Sequence, residues 1–244
     1  MKKLISFFIV SVLATSLFAQ KTPYKIDVKI NGIKDTTLLL GYHYGAKKLV
    51  SDTIRVDSKG HGVFQGDSLL DGGLYMILTP DYRYFEVVID NPDQVFKLET
   101  DTSDFVGNLK IEGSESNSVF LQYQKKSSEM YKIRKPAYDN LKALYAEDTT
   151  KFSKKQLAAY HDSVSTMRNR VDSVRDAMLA YEDNIIKKYP TTLLTSILNC
   201  THDIDIPDYP RDANGNIIDS LFKYTYMKNH YFRLFQKTIC FIWF

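Results

Sequence analysis

The 244-residue chain carries 32 Lys and Arg against 29 Asp and Glu, and 44% of its residues are hydrophobic. Setting aside the first 19 residues, with Lys2 and Lys3, leaves 30 basic residues facing 29 acidic ones. Such a balance lacks the clustered cations that neutralise nucleic-acid phosphates, so nucleic-acid binding is excluded as a reading.

The opening MKKLISFFIVSVLATSLFAQ predicts a signal peptide over residues 1–19. Lys2 and Lys3 form a positive start, Leu4 to Leu13 an apolar run too short to span a bilayer, and Ala19 the last residue before cleavage. No Cys lies near that junction, which argues against a lipid anchor. The expectation is an exported protein, periplasmic or associated with the outer envelope, with no integral membrane span after cleavage. About 225 residues then remain, enough for two modest domains.

Residues 22–113 predict a β domain. In YKIDVKI, Tyr24, Ile26, Val28 and Ile30 share one face, the period-two mark of a half-buried strand, and Asn31-Gly32 supplies a turn. TTLLLGYHY, KLVSDTIRV and HGVFQG follow, then GLYMILT, RYFEVVID, QVFKLETD and NLKIEG. About eight short strands with frequent turns predict a β-sandwich or open barrel. Long crossover helices are absent, so the pairing is expected to be antiparallel.

After Gly113 the period changes, and residues 114–232 predict a helical domain. Apolar residues recur at helical spacing from Asn117 to Glu147, with a kink expected before Pro136 and a cap at Ser116-Asn117. Ser153 and Gln156 form a capping box. From Leu157 through Tyr160, Val164, Met167, Val171, Val174, Met178 and Tyr181 to Ile185, a stripe then steps by three and four. A heptad seam of this length needs a partner helix. The segment 117–147 supplies one as an antiparallel hairpin, with homodimerisation through the same seam as the rival. Pro190 ends the long helix, TTLLTSILN forms a short one, and Ile217 to Phe232 a last one. The overall expectation is an α+β chain, an antiparallel sandwich followed by a helical hairpin.

Chemistry is sparsely signalled. HDIDIPDYPRDANGNIID, residues 202–219, gathers His202, Asp203, Asp205, Asp208, Asp212 and Asp219, but a calcium-loop register with Gly215 sixth would begin on Pro210. Asn214-Gly215 reads as a turn. His43 and His61 lack the context of a metalloenzyme or hydrolase motif, and Ser114 and Ser116 have no neighbouring base. Glu86 with Asp90 fits almost any strand. Tyr82, Tyr84 and Phe85 could line a ligand- or peptide-binding face. The two cysteines, Cys200 and Cys240, form no Cys-x-x-Cys pair, and nothing local forces them into a bridge. No catalytic, cofactor-binding or metal-binding residue is therefore assigned.

At GYHYGAKKLVSDTIRVDSKGHGVFQG and GGLYMIL the chain resembles the N-terminal β domain, of unknown function, that opens many exported thioredoxin-like proteins of Gram-negative bacteria. Gly41, Asp52-Thr53, Asp57, Gly60, Phe64, Gly66, Gly73 and Tyr75 carry the likeness, and GSESN matches the junction with a helical linking domain. YPTTLL and YPRDANGNIIDSLFKYTYMKNHYF are similar to that linking domain. In such proteins a thioredoxin-like domain with a Trp-Cys-x-x-Cys pair follows, which the resemblance implies carries thiol-disulfide exchange. Here residues 233–244 are instead an aromatic tail, expected to be a truncated or out-of-frame end. The resemblance thus implies a non-catalytic accessory region, with homo-oligomerisation through the hairpin and a protein partner in the cell envelope, and no enzyme in the chain as it stands.

Overall fold

The computed structural model describes residues 23–45, 47–91, 93–202 and 206–238, the last eight of these by backbone alone. The predicted signal peptide, Asp203, Asp205, Cys240 and the end of the aromatic tail lie outside the described residues.

The β domain is a sandwich of two four-stranded sheets. One has the order β4-β1-β7-β8, built from β1 (Tyr24–Asn31), β4 (His61–Gly66), β7 (Val95–Asp101) and β8 (Lys110–Glu112). The other has the order β3-β2-β5-β6, built from β2 (Thr37–Tyr44), β3 (Lys47–Arg55), β5 (Gly73–Leu78) and β6 (Tyr84–Ile89). Tyr24, Ile26, Val28 and Ile30 all point into the core, as their alternation predicts, and meet Leu38, Leu40, Phe64, Phe85 and Phe96 from the facing and neighbouring strands. At roughly 1.5–3 kcal/mol for each large apolar side chain removed from water, this core is the main stabilising element of the domain. Edge strand β3 is exposed along nearly all its length and carries Lys47, Lys48 and Arg55, charges that discourage a foreign strand from pairing there.

One pair departs from the antiparallel expectation. β1 and β7 run parallel, in the register Lys25↔Val95 to Asn31↔Asp101. The chain between them visits the second sheet and β4 before returning, so strands rather than a helix provide the long crossover that parallel neighbours require.

The helical part begins with α1 (Glu115–Tyr145), continuous through Pro136. Its cap is Ser114, whose Oγ accepts from Asn117 N, rather than the expected Ser116-Asn117. The side chain of Asn117 is engaged by β6 instead. After a 3-10 turn at Thr149–Lys151 comes α2 (Lys154–Lys188), opened by the reciprocal Ser153–Gln156 capping box. α1 and α2 pack along each other as the predicted hairpin. Ala137, Leu141 and Val164 are buried between them, whereas Met167, Val171, Val174 and Met178 are half-buried. Tyr160 Oη donating to Leu144 O (3.2 Å) and Arg168 donating to Tyr145 Oη (2.6 Å) close the far end.

α3 (Leu193–Thr201) follows, capped by Thr192, and buries Leu194 and Leu198. The last helix, α4 (Phe222–Thr238), starts five residues later than Ile217 and runs past Phe232. Ile217 instead bridges Arg211, Ile218 N donates to Pro210 O, and Asp219 Oδ1 accepts from Leu221 N, so the chain is held extended until that turn. Among the described residues no helix is long and apolar enough to cross a membrane.

Candidate functional site

Three linked features lie where the helices meet the sandwich and along the hairpin above it. The first is the joint. β6 is an edge strand, and Asn117 of α1 completes it: Val88 N donates to Asn117 Oδ1 (2.8 Å) and Asn117 Nδ2 donates to Val88 O (2.7 Å). The amide thereby reproduces the paired bonds of a neighbouring strand, and Asn117 is 1% exposed. Asp90, just past β6, accepts from Ser116 Oγ (3.0 Å) and from Leu193 N (2.8 Å). A carboxylate at the N-terminus of α3 is also favoured by the helix dipole. Val88, Val119, Phe120, Ile185, Leu194 and Leu198 form a second core behind these bonds.

The second is a polar cluster one to two turns along. Glu182 of α2, almost buried, accepts from Tyr123 Oη of α1 (3.2 Å) and lies 2.8 Å from His202 Nε2 at the end of α3. Asp183 stands 3.7 Å from His202 Nδ1. Burial, and after it the charge of Glu182 and the hydrogen bond to it, pushes the Tyr123 phenol up to about 12. The group ties three helices together.

The third is a groove of about 260 Å³ between α1 and α2. Met130, Tyr131 and Arg134 form one wall and Val174, Arg175, Met178 and Leu179 the other, with Glu182 at its lower end. Both walls follow i, i+3, i+4 spacing, the pattern that receives a third amphipathic helix. A second hollow, about 340 Å³, lies on the outer face of the first sheet between Lys25, Asp27, Lys97 and Glu112.

The residues singled out in the sequence are dispersed. His202 pairs with Glu182, whereas Asp208 lies near Lys223 and Asp212 bonds within its own turn. Asp212 is consumed by its own turn, where the side-chain amide of Asn216, and after it the backbone N–H groups of Asn216 and Asn214, hold its carboxyl below the usual range. Among the described residues no three His, Cys, Asp or Glu side chains converge as a metal site. His61 Nε2 lies 3.0 Å from Asp27, and His43 is half-buried on β2. Phe85 is in the core against Phe105, Tyr84 lies outside under Lys48, and Tyr82 sits exposed in a turn, so the three share no face. Cys200 is half-buried on α3. Ser116 does meet a carboxylate, Asp90, but one already bonded to the α3 backbone.

The motif residues of the β domain have packing roles. Asp52 accepts from Tyr24 Oη (2.9 Å), and burial, followed by that bond and charge, pushes the Tyr24 phenol up to about 12. Asp57 takes the N–H groups of Lys59 and His61 at the β3–β4 turn. Gly60 there has φ +74°, and a Cβ would run into the Ile30 carbonyl oxygen. Gly66 leaves room for the Tyr24 ring, 2.5 Å from where its Cβ would stand. Asn117, Asp90 as a staple, and Glu182 escaped the sequence reading. Glu182 had one signal, an acid between the apolar seam residues Tyr181 and Ile185.

Residues 24–120 match the family described as Domain of unknown function (DUF4369), which takes in the whole sandwich, the joint residue Asn117 and the first turn of α1. No curated protein matches the chain.

Proposed function

We propose that this is an exported, non-catalytic accessory and oligomerisation region of the thioredoxin-like kind, in which the sandwich serves as a base and the hairpin as the element that meets partners. The observation that carries the reading is the joint. Asn117, buried, and Asp90, half-buried, fasten α1 and α3 to β6 through hydrogen bonds, while the hairpin beyond leaves a groove between its two helices. A chain that builds a stiff support and leaves the supported face open is suited to holding another protein in place. The match over residues 24–120 supports the kinship of the base, and the likeness of GSESN and YPTTLL to the linking domain supports that of the helices.

The non-catalytic part of the reading rests on thiol chemistry. Thiol-disulfide exchange needs an activated thiolate and a resolving thiol beside it, and Cys200 and Cys240 stand forty positions apart in sequence. The rival reading, a ligand-binding face on the tyrosine-rich sandwich, draws less support, because Tyr24 and Tyr75 are buried in the core. The test is insulin reduction by the purified chain with dithiothreitol as electron source. No turnover above the reductant alone is expected; turnover that disappears in Cys200→Ser would overturn the assignment.

A further inference from the structure

The chain contains two Asn-Gly steps, Asn31-Gly32 and Asn214-Gly215, and neither has a part in the proposed function. In such a step the backbone nitrogen of the glycine can reach Cγ of the asparagine, because no glycine Cβ stands in the way. Ring closure forms the N–Cγ bond and breaks the Cγ–Nδ2 bond. The glycine N–H proton leaves with Nδ2 as ammonia, and a succinimide remains. Water then opens the ring at the side-chain carbonyl to give aspartate, or at the main-chain carbonyl to give isoaspartate. Water is the only co-reactant.

The two steps differ in how they are held. Asn31 ends β1 in register with Asp101 of β7, so it belongs to the two central strands of the first sheet. Its Nδ2 donates to Glu99 Oε1 (3.4 Å), its carbonyl accepts from Thr102 N (3.1 Å), and the Thr102 side chain closes over Gly32. Asn214 lies instead in an exposed turn between α3 and α4. Among the described residues its side chain makes no hydrogen bond. Gly215 has φ +86°, and no atom lies within 4 Å of where its Cβ would stand, so the turn has room to rearrange. One backbone bond, Gly215 N to Asp212 O (3.0 Å), has to release before that nitrogen can turn to Cγ. Opening an exposed turn costs far less than pulling β1 away from β7.

We propose that Asn214 is a site of spontaneous modification, converting through the succinimide to aspartate and isoaspartate while Asn31 is preserved. Isoaspartate carries one extra carbon in the main chain, and three contacts span residue 214: Asp212 N donating to Asn216 O (2.9 Å), Arg211 Nη1 donating to Gly215 O (2.7 Å), and the Arg211–Ile217 bridge. A longer main chain cannot keep all three, so the modified turn opens and the segment leading into α4 is loosened. The site needs neither a partner nor a thiol, and it stands apart from the accessory role proposed above.

The test is to incubate the purified chain in mildly alkaline buffer and to follow both steps by peptide mapping with mass spectrometry. Labelling by isoaspartyl methyltransferase identifies the isoaspartate. Exchange of the side-chain NH2 for OH is expected about tenfold faster at Asn214 than at Asn31, a gap that about 1.4 kcal/mol of opening free energy supplies. In urea the two rates should converge, because unfolding removes what distinguishes them. Trypsin should cut after Arg211 faster in aged protein than in fresh, and Asn214→Gln, whose longer side chain closes a ring far less readily, should show no such gain. Asn214 left intact in the folded chain, equal rates at both steps before unfolding, rates that stay apart in urea, or aspartate without isoaspartate would each overturn the assignment. Cutting after Arg211 that does not change with age would overturn the loosening of the turn.

Discussion

The side-chain amide of Asn117 bonds to both backbone groups of Val88, at 2.8 and 2.7 Å, so α1 is attached to edge strand β6 as a further strand would be. Val88 is fully buried, and water cannot replace these bonds. Asn117→Ala should leave a buried N–H and a buried C=O unpaired at about 1–3 kcal/mol each, for a combined loss of about 3 kcal/mol. Asn117→Asp should fail as well, because a carboxylate cannot donate to Val88 O. Urea unfolding of both variants checks this; a loss below 1 kcal/mol would mean that the joint relaxes around the missing amide.

Gly60 is the second sensitive backbone position. Its φ of +74° disfavours any L side chain, and a Cβ would collide with the Ile30 carbonyl that lies against the turn. Gly60→Ala is expected to cost about 2 kcal/mol or more, lowering the melting temperature measurably. Gly215→Ala is the control: its φ is also positive, +86°, but nothing lies within 4 Å, so strain acts there without a clash and the cost should be smaller.

Pro136 predicts a change of the opposite sign. It sits exposed inside α1, lacks an N–H, and crowds the carbonyl one turn earlier. Pro136→Ala should therefore stabilise the hairpin, by up to about 3 kcal/mol, and slow amide exchange on either side of residue 136. Unchanged exchange would show that neighbouring side chains already compensate for the proline.

High pH tests the buried phenols. Tyr24, Tyr75 and Tyr123 are each raised from 10.0 to about 12, in every case chiefly by burial. Their folded values lie above the unfolded ones, so their contribution is complete below pH 10 and is lost as pH climbs from 10 through 12. Unfolding free energy should accordingly be flat through these groups up to pH 10 and fall beyond it. Absorbance at 295 nm should show these tyrosines ionising after the exposed ones. Tyr123→Phe should reduce the alkaline slope; an identical slope would place the lost protons elsewhere.

Local signals were the most legible. The alternation in YKIDVKI puts four side chains in the core, and the Ser153–Gln156 box opens α2 at the predicted residue. β5 and β6 obey no alternation because both faces of β6 are covered, by the sandwich core at Phe85, Val87 and Ile89 and by the helices at Val88. Asn117 and Glu182 were opaque for a different reason. Their partners, Val88 and His202, lie 29 and 20 residues away, and no local pattern encodes which polar group a folded chain will bring to a buried amide or carboxylate. The parallel β1–β7 pair was equally hidden, since register between strands about seventy residues apart follows from how two sheets close on each other.

The joint at β6 also acts as a pivot. α1 extends for 31 residues, about 46 Å, from the point where Asn117 and Ser116 grip the sandwich. Over that arm a tilt of about one degree moves the far tip by roughly 0.8 Å. Aim at a distance is thus decided by a few atoms beside one edge strand, and a loosened Asn117 or Asp90 would misdirect the hairpin long before it unfolded it.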